Sequence, residues 1–231
     1  MPRSTTAEVY RKIAPMPLIT FEGSEGCGKS TQVKRFAMYL GKRGIRTAVF
    51  REPGGTAIGE AIRDLLQYSE ENRRMTGETE LLLFEAGRSQ LVREKIQPAL
   101  ESGAWVICDR FLDSTTVYQG AARNLNPALV EELNRFAVDD CMPDITFVLD
   151  IDAETARSRI ANRKVRDRME EQSPEFYERV RVAYRELARR EPERVLLIDG
   201  RPSIEQVEGE IHRALEKKFS HLLTARGGEV K

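Results

Sequence analysis

Histidine is nearly absent from this chain, and the two present, His212 and His221, fall together in a C-terminal segment of helical period. A mechanism needing a histidine base near the middle of the chain therefore has no reagent, and both read as solvated helix positions. Cysteine is scarce as well. Cys27, Cys108 and Cys141 are odd in number, widely spaced and without a second Cys or His at metal-site spacing, which argues against a disulfide framework or zinc site and for a reducing cytoplasm. Net charge is missing: 37 Lys plus Arg balance 37 Asp plus Glu. The charges are interspersed rather than gathered in a basic arm, so polymeric nucleic acid is not an expected partner. No run of 18 apolar residues exists, and Met1 to Pro17 carries charges and prolines instead of an apolar core; neither a membrane span nor a secretion signal is expected.

What is present fits one domain, since 231 residues at 40% hydrophobic content can bury a single core. Short apolar runs alternate with stretches of helical period, the signature of an α/β fold with a parallel sheet flanked by helices. The runs read as strands are Leu18 to Glu22, Thr47 to Arg51, Trp105 to Asp109, Ile145 to Asp150 and Val195 to Asp199. Helices are expected over Lys29 to Lys42, Ile58 to Gln67, Glu80 to Ser102, Pro127 to Asp140, Ala153 to Ala161, Pro174 to Arg189 and Ile204 to Leu222. The domain spans 17–223, after a flexible extension at 1–16 and before a tail at 224–231. The charged, aperiodic stretch at about 162–172 reads as a mobile lid. Several strands end in a charged residue or glycine, and the carboxyl ends of parallel strands form the ligand crevice of such sheets.

The first of these ends carries the chemistry. Gly23, four residues, then Gly28, Lys29 and Ser30 make a P-loop between a strand and a helix. Glycines let successive N–H groups turn toward phosphate oxygens, Lys29 reaches the β and γ oxygens from a solvent-facing position, and Ser30 ligates Mg²⁺. The whole run Gly23, Ser24, Glu25, Gly26, Cys27, Gly28, Lys29, Ser30 and Thr31 is the candidate ATP cradle. Neither the Asn-Lys-x-Asp guanine motif nor the Leu-Ser-Gly-Gly-Gln transporter signature occurs. Asp109 ends an apolar strand as a second Mg²⁺ ligand would, and Arg110 follows it, a pair that points to a kinase of small phosphorylated substrates.

With Phe21 to Thr31, Arg51-Glu52-Pro53-Gly54-Gly55-Thr56, Phe84-Glu85-Ala86-Gly87-Arg88, Asp109-Arg110, Ser114-Thr115 and Tyr118-Gln119-Gly120 in view, the chain resembles the thymidylate kinase family from Leu18 to about Leu215. That resemblance implies a P-loop nucleoside monophosphate kinase fold with a five-stranded parallel sheet and a short lid. It further implies Mg·ATP as phosphoryl donor, dTMP as acceptor, dTDP as product and a homodimer. It assigns Glu25 to the 3′-hydroxyl of dTMP, has Tyr118 crowd the 2′ position, has Ser114, Thr115 and Gln119 line the acceptor, and brings the Pro53 loop against that nucleotide. Phe84 and Arg88, four apart on one helix face, suit stacking on a pyrimidine and donation to its edge. Arg51 and Arg110 suit the acceptor phosphate. Asp199-Gly200-Arg201 resembles the adenine-side loop or is a plain turn. Gly26 stands where some relatives carry arginine, so a lid arginine, Arg163 or Arg166, is expected to supply that charge, although the glycine that commonly follows the first lid arginine is absent. A kinase for another deoxypyrimidine monophosphate and a P-loop ATPase switch are the open alternatives.

Overall fold

The computed structural model describes residues 16–160 and 172–224. The N-terminal extension, the core of the expected lid with Arg163 and Arg166, and the C-terminal tail lie outside the described residues. Five parallel strands, β1 (Leu18–Glu22), β2 (Thr47–Arg51), β3 (Trp105–Asp109), β4 (Ile145–Asp150) and β5 (Val195–Asp199), stand in the order β2-β3-β1-β4-β5. All five coincide with the strands read from the sequence. The apolar runs of the three central strands, β3, β1 and β4, are continuous because both of their faces are buried. Along β1 and β3, Ile19, Phe21, Trp105 and Ile107 enter one core with Val33, Phe36 and Leu40. Leu18, Val106 and Cys108 enter the opposite one with Leu91, Ile96 and Phe111.

The helices are α1 (Lys29–Lys42), α2 (Ala57–Gln67), α3 (Gly77–Leu91), α4 (Gln97–Glu101), α5 (Leu112–Thr115), α6 (Pro127–Val138), α7 (Ala153–Ile160), α8 (Pro174–Arg190) and α9 (Ile204–Thr224). The long helix expected over Glu80 to Ser102 begins earlier, where the Thr76 hydroxyl accepts from the Thr79 N–H as an N-cap. It is broken by a π-type turn at Val92–Ile96, because Pro98 has no N–H to give the preceding turn and its ring needs the wider winding. The α6 helix stops at Val138 rather than Asp140, since Asp139 adopts a positive φ of 54°. Three elements went unread: a 3₁₀ turn at Glu70–Arg74, the short α5 itself, and its π-helical continuation over Thr116–Ala122. His212 corrects another expectation. It is half-buried and stacks on Tyr39 at 3.5 Å between ring centres, so it joins α9 to α1 instead of facing water.

The register sets the strand ends side by side. Asp109 pairs with Phe21 and with Arg51, and Asp150 with Asp199, which aligns the charged ends along one edge.

Candidate active site

Between β1 and α1 the chain turns through Gly23, Gly26 and Gly28, all at positive φ (131°, 74° and 99°). Space as well as torsion demands the first two. A Cβ at Gly23 would lie 2.5 Å from the Leu149 carbonyl oxygen, and one at Gly26 would lie 2.8 Å from that of Ala156. Lys29 sits on the first turn of α1, 7% exposed, and its Nζ donates to the carbonyls of Gly23 (3.0 Å) and Ser24 (2.8 Å). The solvent-facing lysine expected from the sequence is therefore a buried one, bridging the loop's own carbonyls. Ser30 Oγ donates to Asp109 Oδ2 at 2.6 Å, so the two oxygen ligands expected for a divalent cation meet where α1 begins and β3 ends. Both are hard oxygens, the donor type Mg²⁺ takes.

Arg110, just past β3, holds a left-handed φ of 70°, an uncommon conformation for a residue with a Cβ. Its guanidinium donates to Glu25, to Ser114 Oγ at 3.1 Å and to Tyr118 at 3.4 Å. A carboxylate inside a phosphate cradle is electrostatically costly, and the Arg110 guanidinium offsets that cost at Glu25. Burial disfavours the Arg110 charge, but the carboxylates of Glu25 and Glu22 outweigh it and hold the group protonated. Beneath them Glu22 is fully buried and accepts from the Phe111 N–H (2.8 Å), Ser114 Oγ (2.6 Å) and Tyr184 OH (2.7 Å), tying β1, α5 and α8 together. Burial pushes its carboxyl above the usual range, against the pull of Arg110. Arg51 lies at the exposed end of β2 and donates to Glu60 (2.8 Å) and the Pro53 carbonyl (3.0 Å).

Arg88 differs most from expectation. Only 1% exposed, its guanidinium donates to Glu52 (2.9 and 2.7 Å), Glu85 (2.6 Å), Thr115 (3.0 Å), Asn134 (3.1 Å) and the Phe111 carbonyl (3.2 Å). Protein acceptors occupy all of its N–H groups, and it braces α3 against β2, α5 and α6 rather than opening onto the cavity. Two carboxylates share this one guanidinium, with Glu52 Oε1 and Glu85 Oε2 buried and without a hydrogen-bond partner. Burial pushes the Glu52 carboxyl up to about 7.

Two cavities line the sheet edge. The larger, about 620 Å³, runs from Arg51, Asp109 and Arg110 across the P-loop to Gly200, Pro202 and Ile204. The smaller, about 40 Å³, is walled by Phe84, Ser114, Thr115, Tyr118 and Gln119. Glu25, Pro53, Gln67 and Arg110 belong to both. The sequence reading missed Arg63, Gln67 and Arg159. Arg63 and Gln67 are four apart on α2 and so share a face, and Arg63 donates to the Pro53 carbonyl at 3.0 Å; their spacing was the available signal. Arg159, on α7, donates to the Gly200 carbonyl at 2.9 Å and lines the far end of the larger cavity.

A family model described as thymidylate kinase matches residues 21–211. The chain is 44% identical to a thymidylate kinase of Kosmotoga olearia over 87% of its length and 94% of that protein. It is 45% identical to one of Fervidobacterium nodosum over 89% and 99%. A solved thymidylate kinase of Ehrlichia chaffeensis superposes with a TM-score of 0.72 at 33% identity, covering 87% of this chain and 99% of that one.

Proposed function

Because the chain belongs to the thymidylate kinase family, whose members phosphorylate dTMP to dTDP with ATP, we propose that the two cavities hold donor and acceptor and that their common wall is where phosphate passes between them. The carrying observation is that sharing of Glu25, Pro53, Gln67 and Arg110. ATP lies along the P-loop with its base toward Gly200 and Ile204. dTMP lies with its base beside Phe84 and Gln119 and its phosphate between Arg51 and Arg110. The smaller cavity is narrower than a pyrimidine needs, so its walls part as the nucleotide enters.

An acceptor phosphate oxygen is already deprotonated at neutral pH. No general base is needed, which suits a site without histidine. What the chain supplies is alignment and positive charge. Incoming phosphate replaces the loop carbonyls as partner of Lys29, and the N–H groups of residues 24–31 at the start of α1 cradle the β oxygens. Arg51 and Arg110 fix the attacking phosphate in line. Glu25 takes the 3′-hydroxyl, and Tyr118 crowds the 2′ position. Ser30 and Asp109 would hold Mg²⁺, which when bound neutralises charge on the transferred group. Arg163 or Arg166 of the lid supplies the remaining charge that Gly26 does not. Phosphoryl transfer assayed against dTMP, dUMP, dCMP, UMP, CMP, AMP and GMP tests this reading. A clear preference for dTMP supports it, and ATP hydrolysis indifferent to every monophosphate overturns it.

The protein further acts as a homodimer in the cytoplasm. Cys27, Cys108 and Cys141 are all unpaired and buried, as a reducing compartment permits, and no helix among the described residues is long and apolar enough to cross a membrane. Exposed apolar side chains on α2, α3 and α6 support the dimer.

A further inference from the structure

Gln119 lies in the acceptor wall, 1% exposed. Its Nε2 donates to Glu80 Oε1 at 2.7 Å. Glu80 is itself 1% exposed, on the first turn of α3, and outside the cavity lining. Arg123 grips both its oxygens, Nε to Oε1 at 3.2 Å and Nη2 to Oε2 at 3.1 Å. A carboxylate held by a guanidinium has only acceptors to offer. The Gln119 amide must therefore turn its NH₂ toward Glu80, and the carbonyl end, Oε1, is what remains for the cavity. No described residue donates to that oxygen.

We propose that Glu80 is a positioning residue for base selection: by fixing the Gln119 amide it presents an acceptor to the pyrimidine edge, which admits bases carrying N3–H and rejects those whose N3 is a lone pair. Thymine and uracil have the donor; cytosine has the lone pair, and acceptor against acceptor leaves both buried groups unpaired, the situation that produces the strongest discrimination. The N–H groups of Arg88 are committed to protein acceptors, and of the two amides that border the cavity, Gln67 and Gln119, Gln119 is the one whose NH₂ is fixed by a buried carboxylate. The α3 helix places Glu80, Phe84 and Arg88 at i, i+4 and i+8, so one stripe orients the base reader, contributes the stacking ring and braces the wall. The inference rests on the proposed seating of the base beside Phe84.

The test is Glu80→Gln, close in shape to the native residue but able to donate, which frees the Gln119 amide to flip. The kcat/KM ratio of dTMP over dCMP is expected to fall by about tenfold or more, with activity on dCMP rising. The ratio of dTMP over dUMP should hold, because both carry N3–H, and the KM for ATP should not move. Equal losses on all three pyrimidines would make Glu80 merely structural and overturn the proposal. Should Glu80→Gln fail to fold, Gln119→Met removes the acceptor while leaving the Glu80 and Arg123 pair, and an unchanged dTMP over dCMP ratio there is equally fatal. Phe84→Ala separates the two levels. If it raises the KM for dTMP while the ratios in the other variants stay fixed, only the role of Glu80 falls. If it leaves that KM unchanged, the seating of the base falls and the proposal with it.

Discussion

Lys29 shows how a residue identified from its motif acquires a different energetic role once its surroundings are known. Its charge serves phosphate, but without phosphate it closes the loop by bonding Gly23 and Ser24. Lys29→Ala is expected to reduce turnover below about a tenth of wild type and also to lower stability by about 2 kcal/mol, the scale of lost hydrogen bonds from a charged donor. Turnover and thermal melts on the same preparation check both, and a variant with unchanged melting temperature would deny the loop-closing role. Glu52 gives a pH prediction. Its native carboxyl titrates near 7 against a reference of 4.5, so between those values the folded state binds more protons than the unfolded one. Its contribution is therefore fully present at low pH and is lost as pH rises through 7, on the order of 3 kcal/mol at most. Glu52→Gln should flatten the denaturant-derived stability curve between pH 4.5 and 7; an unaltered slope would place the proton elsewhere in the cluster. Such detail was not legible in the sequence. Motif spacing identified Lys29, Ser30, Asp109 and Arg110, but Arg88 depends on Glu52, Glu85 and Asn134, residues up to 46 positions away, and no local pattern reveals whether such distant acceptors converge.

The strands were legible as elements because parallel strands buried on both faces leave uninterrupted apolar runs, as in β1 and β4. The π-helical stretch Thr116–Ala122 was not. Its Thr, Val and Gly fit no regular period, and packing against α6 and α8 with the Gln119 bond to Glu80 on α3 holds it. The junction of the P-loop with α7 carries a prediction of its own. Gly26 lies under the Ala156 carbonyl at a φ open to glycine, and α7 leads directly into the lid sequence. Gly26→Ala is expected to cost about 1 to 3 kcal/mol through strain and overpacking and to depress kcat more than the KM for either nucleotide. A variant as active and stable as wild type would show that α7 yields freely. The lid arginines follow from the same contact, since α7 leaves no room for an arginine at position 26. Arg163→Ala or Arg166→Ala should lose on the order of a thousandfold in kcat with modest KM change. If the double variant retains wild-type kcat, Arg51 and Arg110 carry the transition-state charge.

On the scale of the whole molecule, two helices of the acceptor wall, α2 and α3, together with α6 beside them carry apolar side chains on their outer faces. Ile58 and Leu65 are seven apart on α2, and Leu129 and Phe136 seven apart on α6, so each pair shares a helix face. Leu82 stands on α3, which packs between those helices. Their exposures of 54%, 39%, 49%, 73% and, for Leu82, 56% leave apolar surface of the kind that marks an interface between protein chains. In sequence these side chains are indistinguishable from core positions, so only the fold separates a buried stripe from an uncovered one. The inner faces of α2 and α3 carry Arg63, Gln67, Phe84 and Arg88, and covering the outer faces with a second copy restrains the elements that must admit dTMP. Sedimentation of the wild type is accordingly expected to give twice the 26.3 kDa chain mass. Phe136→Glu, a change at a site solvated in the single chain, should shift the protein toward monomer while preserving its helical signal, because a charge covered by an apolar interface is left without a partner. The monomer should show a raised KM for dTMP and a smaller change in the KM for ATP, whose cavity lies along the P-loop, α1 and α9 and meets α2 only at Arg63 and Gln67. A wild type that sediments as a monomer at micromolar concentration, or a dimer indifferent to Phe136→Glu, would move the interface off these three helices.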